Sequence, residues 1–294
     1  LREAITAWAK KYLGASGDFG VLPLIGSKEF VAWLPTFIEA QSVLYPDVAY
    51  PTYLVGSLLA EATATPVSLD ATGWPQADMA WVNSPSNPTG RVHSESEFKA
   101  AIDWSRKNKS VVVSDECYLE FGDSVKPTSI LNYTGGDNTN ILAVHSLSKR
   151  SSMAGYRAAF IVGDPALIAR ILEVRKHAGM MVPLPVQVAM VAALSDKEHV
   201  VQQRARYNAR RATLAPALRA AGFTIENSEA GLYIWATRNE NCWDSVSWLA
   251  ELGIIATPGV FYGDLGASHI RIAMTATDAQ ISEAAARISS KVGA

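Results

Sequence analysis

The stretch HSLSKRSSMAGYR, His145 to Arg157, places Lys149 just beyond the apolar run Ile141–Val144 and eight residues before Arg157. That run reads as a fully buried strand, so the lysine is delivered from the interior rather than from a solvated face. In open α/β sheets ligands bind beyond the carboxyl ends of the strands, and Ser146 and Lys149 stand at such an end. The eight-residue spacing lets the chain leave the strand, pass round a small ligand and return as the next strand, RAAFIVGD. Gly155 is expected to permit that return.

Working outward, SVVVSDECY is a second β-branched run, with Asp115 at its end, and MAWV (Met79 to Val82) is a third, followed by the loop NSPSNPTG carrying Asn87. SESEFKAAIDWSRKN opens with a capping-box pattern at Ser94 and Glu97, and PALIARILEVRKHAG has proline at its first turn, so both read as helices. GSKEFVAWLPTFIEA takes on helical periodicity after Gly26. The alternation predicts an α/β fold with a mostly parallel sheet sandwiched by helices. A long charged helix over about 196–221 then leads to FTIENSEAGLYIWATR and HIRIAMTA, expected to form a smaller α+β unit. The expected division is a large domain over residues 1–200 and a small one over 201–294.

Hydrophobic residues make up 49% and charged residues 18% of the 294 positions, and the formal net charge is -2, the profile of an ordinary globular enzyme. That balance offers no basic stripe for nucleic acid or an anionic membrane, and the arginines of QQRARYNARR read as a solvated helix face. The two cysteines, Cys117 and Cys242, lack disulfide-framework or metal-site spacing, so no metal is expected and a reducing cytoplasm is. Cys117 is expected to face the core. No apolar run reaches the roughly 20 residues of a membrane helix. LREAITAWAKKYLG reads as a helix already in progress without an initiating Met, so an N-terminal segment is expected to precede it. The region near residue 42, between FIEAQS and VLYPDVAYPTY, reads as short of a turn.

A lone acid or lysine at a strand end is commonly structural. Asn87, Asp115, Ser146 and Lys149 at neighbouring strand ends point instead to pyridoxal 5'-phosphate. A lysine condenses with the cofactor aldehyde, and an acid keeps the pyridine nitrogen protonated so that the ring accepts electrons. The backbone amides of Gly26, Ser27 and Lys28 at a helix start, with Ser146 and the fork of Arg157, suit the phosphate.

Taken together, NSPSNPTG, SDECY and SLSKRSSMAGYR resemble the fold-type I pyridoxal-phosphate aminotransferases, the aspartate-aminotransferase superfamily. GSKEFVAWLPT, AYPTY, SDECYLEFG, VRKHAGMMVP and RIAMTATD bring the likeness closest to actinobacterial-type N-succinyldiaminopimelate aminotransferases of lysine biosynthesis. The resemblance implies that Lys149 is the Schiff-base lysine and proton carrier, that Asp115 pairs with the pyridine nitrogen, and that Asn87 and Tyr118 bind the ring oxygen. It implies Tyr50 on the ring face, phosphate contacts from Ser27, Lys28, Ser146 and Arg157, with Ser148 a weaker candidate, and Arg271 as the clamp for the substrate carboxylate. It further implies a homodimer acting on glutamate, 2-oxoglutarate and N-succinyl-diaminopimelate.

Plainer readings stand beside these: Asn87 as turn chemistry, Tyr50 and Tyr118 as core, Arg271 as a solvated strand charge, and His145 as a packed histidine rather than an acid or base. Another class I aminotransferase (aspartate, aromatic or kynurenine type), a carbon–sulfur lyase, or a non-catalytic ligand-sensing module remain open on the sequence.

Overall fold

The computed structural model describes residues 1–292. It opens with α1 (Arg2–Tyr12), β1 (Gly20–Leu24), α2 (Ser27–Phe37), β2 (Ser42–Pro46), α3 (Thr52–Leu59) and β3 (Thr63–Val67). There follow β4 (Met79–Asn83), α4 (Glu95–Asn108), β5 (Val111–Asp115), β6 (Ile141–Ser146), the single turn α5 (Leu147–Arg150), β7 (Ala159–Gly163) and α6 (Pro165–His177). After α7 (Leu184–Ser195) and the long α8 (Glu198–Ala220) come β8 (Thr224–Ile225), β9 (Tyr233–Thr237), α9 (Cys242–Glu251), β10 (Thr257–Pro258), β11 (His269–Ala273) and α10 (Asp278–Val292).

Seven strands form one mixed sheet in the order β1-β7-β6-β5-β4-β2-β3, in which β7 alone runs against its neighbours. The exception has a local cause. The chain returns from β6 to β7 without a crossover helix, and such a direct return can pair only antiparallel. β4, β6 and β7 are buried along their whole length, which accounts for their unbroken apolar runs. Pro23 is tolerated because β1 is an edge strand.

One face of this sheet packs Ile5, Trp8, Phe98, Ile102 and Met190, and the other packs Phe30, Leu34, Tyr53 and Ile171. A second, antiparallel sheet in the order β10-β11-β9-β8 has its own core, in which Ile234 and Ile270 meet Leu218, Leu249 and Ile288 of the helices. The expected capping box is present at Ser94 and Glu97, and Asp164 caps α6 ahead of Pro165. Among the described residues no helix is long and apolar enough to cross a membrane.

One local expectation is overturned. Gly155 keeps a negative-φ backbone in open space, and the left-handed residues of the β6–β7 return are Ser152 (φ 53) and Arg157 (φ 55). Near residue 42 the connection from α2 to β2 is tight. Glu39 adopts φ 59 and the Ala40 amide donates to the Pro35 carbonyl at 2.9 Å, so α2 reaches β2 without a glycine.

Candidate active site

β4, β5 and β6 end side by side, and Asn83 lies in register with Asp115. Their carboxyl ends open into a cavity of about 440 Å³. Lys149 and Ser148 line it from the turn after β6, Ser27 and Lys28 from the start of α2, and Arg271 and Tyr233 from the second sheet. Asn87, Asp115, Tyr118, Ser146, Tyr50 and Arg157 also line it. The structure thus brings the sequence-predicted residues to one place, with Gly26 directly behind Arg157. A larger cavity of about 590 Å³ beside Leu22, Met180 and Val182 lies away from these groups, and its one buried cation, Arg175, is held bidentately by Glu29 at 2.8 and 2.9 Å.

Asp115 ends β5 and is 6% exposed. Its Oδ2 accepts from the Tyr53 hydroxyl at 3.0 Å and its Oδ1 from the Cys117 amide at 3.2 Å. Burial pushes the carboxyl above the usual range, while the bonds from Cys117 and Tyr53 pull it back. Tyr53 is itself fully buried and stacked on Trp81 at 5.0 Å; burial, then the Asp115 charge, raises its hydroxyl well above the ordinary value.

Asn83 organises the loop after β4. Its Nδ2 donates to the Asp115 carbonyl at 2.9 Å, and its Oδ1 accepts from the Asn87 amide at 2.8 Å. Asn87 is thereby aimed at Arg271, whose Nη1 donates to Asn87 Oδ1 at 2.9 Å. The Arg271 guanidinium lies 4.0 Å from the ring centre of Tyr233 and 5.0 Å from that of Tyr262. Its Nε is buried without a partner, so the fork is oriented and retains donors for a ligand.

At the opposite end, α2 begins without a side-chain cap, leaving its first amides free. Gly26 has φ +103, and a Cβ there would stand 2.2 Å from Arg157 Nη2. Arg157 is steadied by donating from Nη1 to the Ala154 carbonyl at 2.9 Å. Ser146 caps the turn bearing Lys149 by accepting from the Ser148 amide at 3.1 Å, which leaves its own proton to give. Free amides, a hydroxyl and a guanidinium around one hollow have the chemistry of a phosphate cradle.

Sequence reasoning missed Asn83, Tyr53 and Tyr233. Asn83 was findable as the residue that directly ends MAWV; the two tyrosines read as core aromatics until their hydroxyl partners are seen. Cys117 does not face only the core as expected: it lines the cavity, with Sγ 3.4 Å from the Ser27 hydroxyl, because its amide turns back onto Asp115. His145 is the packed histidine expected, stacked on Phe160 at 5.4 Å with Nε2 3.2 Å from Glu116.

The family model for aminotransferase class I and II matches residues 1–288. The chain is 50% identical to the 4-dedimethylamino-4-oxo-anhydrotetracycline transaminase OxyQ of Streptomyces rimosus, covering 98% of this chain and 82% of that protein. It is also 50% identical to the probable aminotransferase Rv1178 of Mycobacterium tuberculosis, over 98% of this chain and 71% of the other. Among solved structures, the probable N-succinyldiaminopimelate aminotransferase of Thermus thermophilus superposes with a TM-score of 0.89 at 27% identity, covering 98% of this chain and 83% of that one.

Proposed function

Because this chain belongs to the class I and II aminotransferases, we propose that it exchanges an amino group between glutamate and N-succinyl-2-amino-6-oxopimelate, yielding N-succinyl-LL-2,6-diaminopimelate. One observation carries the reading: a lysine, a buried carboxylate and an arginine fork line a single cavity.

Members of the family use pyridoxal 5'-phosphate, and the residues present suit it. Asp115 is a buried carboxylate supplied with hydrogen bonds but no ion pair, a deficit that a protonated ring nitrogen would fill. The hollow between Arg157 and α2 is closed so tightly at Gly26 that no Cβ fits. The backbone amides of Ser27 and Lys28, with Ser146 and Arg157, would hold the phosphate, Asn87 and Tyr118 the ring oxygen, and Tyr50 a ring face. When bound, the cofactor supplies an electron sink for the substrate Cα.

Lys149 would anchor the cofactor, and its amine would carry the proton off the substrate Cα. Asp115 would hold a proton on the ring nitrogen. Arg271 takes the substrate α-carboxylate in a two-bond grip, pre-aimed by Asn87 and by the rings of Tyr233 and Tyr262. Lys28, exposed at the cavity beside Tyr50, offers a second cation for an acidic tail, which supports a dicarboxylate substrate. On this reading residues 1–200 carry the cofactor, residues 201–294 the carboxylate clamp, and the protein acts as a cytoplasmic homodimer. The exposed apolar residues Leu54, Val55, Leu58 and Leu59 of α3 support the dimer.

A half-reaction screen tests the proposal. The yellow holoenzyme is mixed with glutamate, N-succinyl-LL-diaminopimelate, LL-diaminopimelate, aspartate, kynurenine and aromatic amino acids, and its conversion to the pyridoxamine form is followed. Fast bleaching by glutamate and the succinylated amine is expected. Bleaching by the others alone would refute the substrate, and release of ammonia and a thiol from a sulfur amino acid would mark a lyase.

A further inference from the structure

Tyr118 leaves the end of β5 in the seven-stranded half, whereas Tyr233 opens β9 in the other, and their hydroxyl oxygens lie 2.8 Å apart. Each phenol has one proton to give. If Tyr118 spends its proton on the cofactor's ring oxygen, the 2.8 Å bond can form only with Tyr233 as its donor. We propose that Tyr233 is a positioning residue whose hydroxyl donates to Tyr118 and so commits Tyr118 as the donor to the cofactor. The inference rests on the reading of the site given above and deepens it.

The surroundings favour that polarity. Both tyrosines are largely buried at the wall of the cavity, so each hydroxyl has the other as its nearest side-chain partner. Their rings meet edge to face at 5.7 Å and 70°, which fixes the oxygens relative to one another. The Arg271 cation sits 4.0 Å over the Tyr233 ring, drawing electron density from the phenol and strengthening it as a donor. Burial first, then the neighbouring Tyr233 hydroxyl and the Asp115 carboxylate, hold the Tyr118 phenol well above its ordinary pKa, so it keeps a proton to donate. The Arg271 guanidinium also lies 5.0 Å from the ring centre of Tyr262. A donor that itself accepts a hydrogen bond is polarised into a stronger donor, by roughly 10–30% per bond.

The test is a spectroscopic pH titration of the visible band of the lysine-bound cofactor in wild type, Tyr233→Phe, Tyr118→Phe and the double variant. A donor at the ring oxygen favours the deprotonated form, so weakening it raises the midpoint. Tyr233→Phe is expected to raise the midpoint by about 0.3 pH units and Tyr118→Phe by more. Adding Tyr233→Phe to Tyr118→Phe should change nothing further. An unmoved midpoint in Tyr233→Phe, or the same shift in both backgrounds, would overturn the inference while leaving the site's function standing. A wild type that develops no visible band would overturn the underlying reading and this one with it.

Discussion

Asn87, in the loop after β4, and Arg271, on β11, are joined by a 2.9 Å hydrogen bond that spans 184 residues of chain. The bond connects the two sheets at the cavity and sets the guanidinium before any ligand arrives. Preorganisation of this kind removes an ordering cost that each substrate would otherwise meet.

Arg271→Ala should therefore lower kcat/KM for α-amino acids by about 10²–10³, the loss expected for a desolvated charge-assisted pair. Arg271→Lys should recover only part of it, because a point charge cannot reproduce the fork. Steady-state kinetics decide the matter: a loss below tenfold for the alanine variant would show that the carboxylate is held elsewhere.

Asp115 predicts opposite effects on activity and stability. Burial raises its folded pKa, so its stabilising contribution is complete at pH values below its unfolded pKa and is lost as pH rises through the folded one. At neutral pH the ionised group costs the cofactor-free protein stability. Asp115→Asn should melt no lower than wild type without cofactor at pH 7, while transamination falls by about 10²–10⁴. Calorimetry of the apo-proteins that shows a clear loss of stability would contradict this.

These groups were legible in one dimension. Asp115 closes the strand VVVSD and Lys149 stands in the turn just beyond the strand ILAVHS, and a polar residue at the end of a buried strand is a signal that needs no partner to be noticed. Tyr53 and Tyr233 carry no such mark. Each sits among apolar neighbours at positions where any large aromatic would fill the core, and only the approach of a distant hydroxyl or carboxylate distinguishes them. The direction of β7 was implicit in the short return, but the strain of that return was not. Left-handed conformations at Ser152 and Arg157 are imposed by where the strand and the cavity lie, not by residue type. Near residue 42, Glu39 hides in the same way a turn that glycine would have announced.

Gly26→Ala should loosen the cofactor. The added Cβ meets Arg157 Nη2 at 2.2 Å and the backbone is at φ +103, so Arg157 must move. A weakening of pyridoxal 5'-phosphate affinity by about tenfold or more is expected, in line with roughly 1–3 kcal/mol of strain. Equilibrium titration with the cofactor measures it, and unchanged affinity would remove Arg157 from the phosphate site.

His93 predicts acid sensitivity. Burial holds its folded pKa at about 4, with Glu97 raising it and Arg91 lowering it, against an ordinary value of 6.5. The unfolded chain thus binds a proton that the folded one refuses, and stability falls as pH drops from 6.5 towards 4, by about 3 kcal/mol in all. Thermal melts from pH 7 to 4 should fall less steeply for His93→Gln than for wild type. Parallel slopes would assign the acid sensitivity to other groups.

The central claim is that Lys149 carries the cofactor. Wild-type protein and Lys149→Ala are incubated with pyridoxal 5'-phosphate, reduced with borohydride, digested and mapped by mass spectrometry. The adduct should fall on the peptide containing Lys149 in wild type and be absent from the variant, which should also lack the visible band and transaminase activity. An adduct centred on another lysine, or a variant that stays yellow and active, would contradict the account.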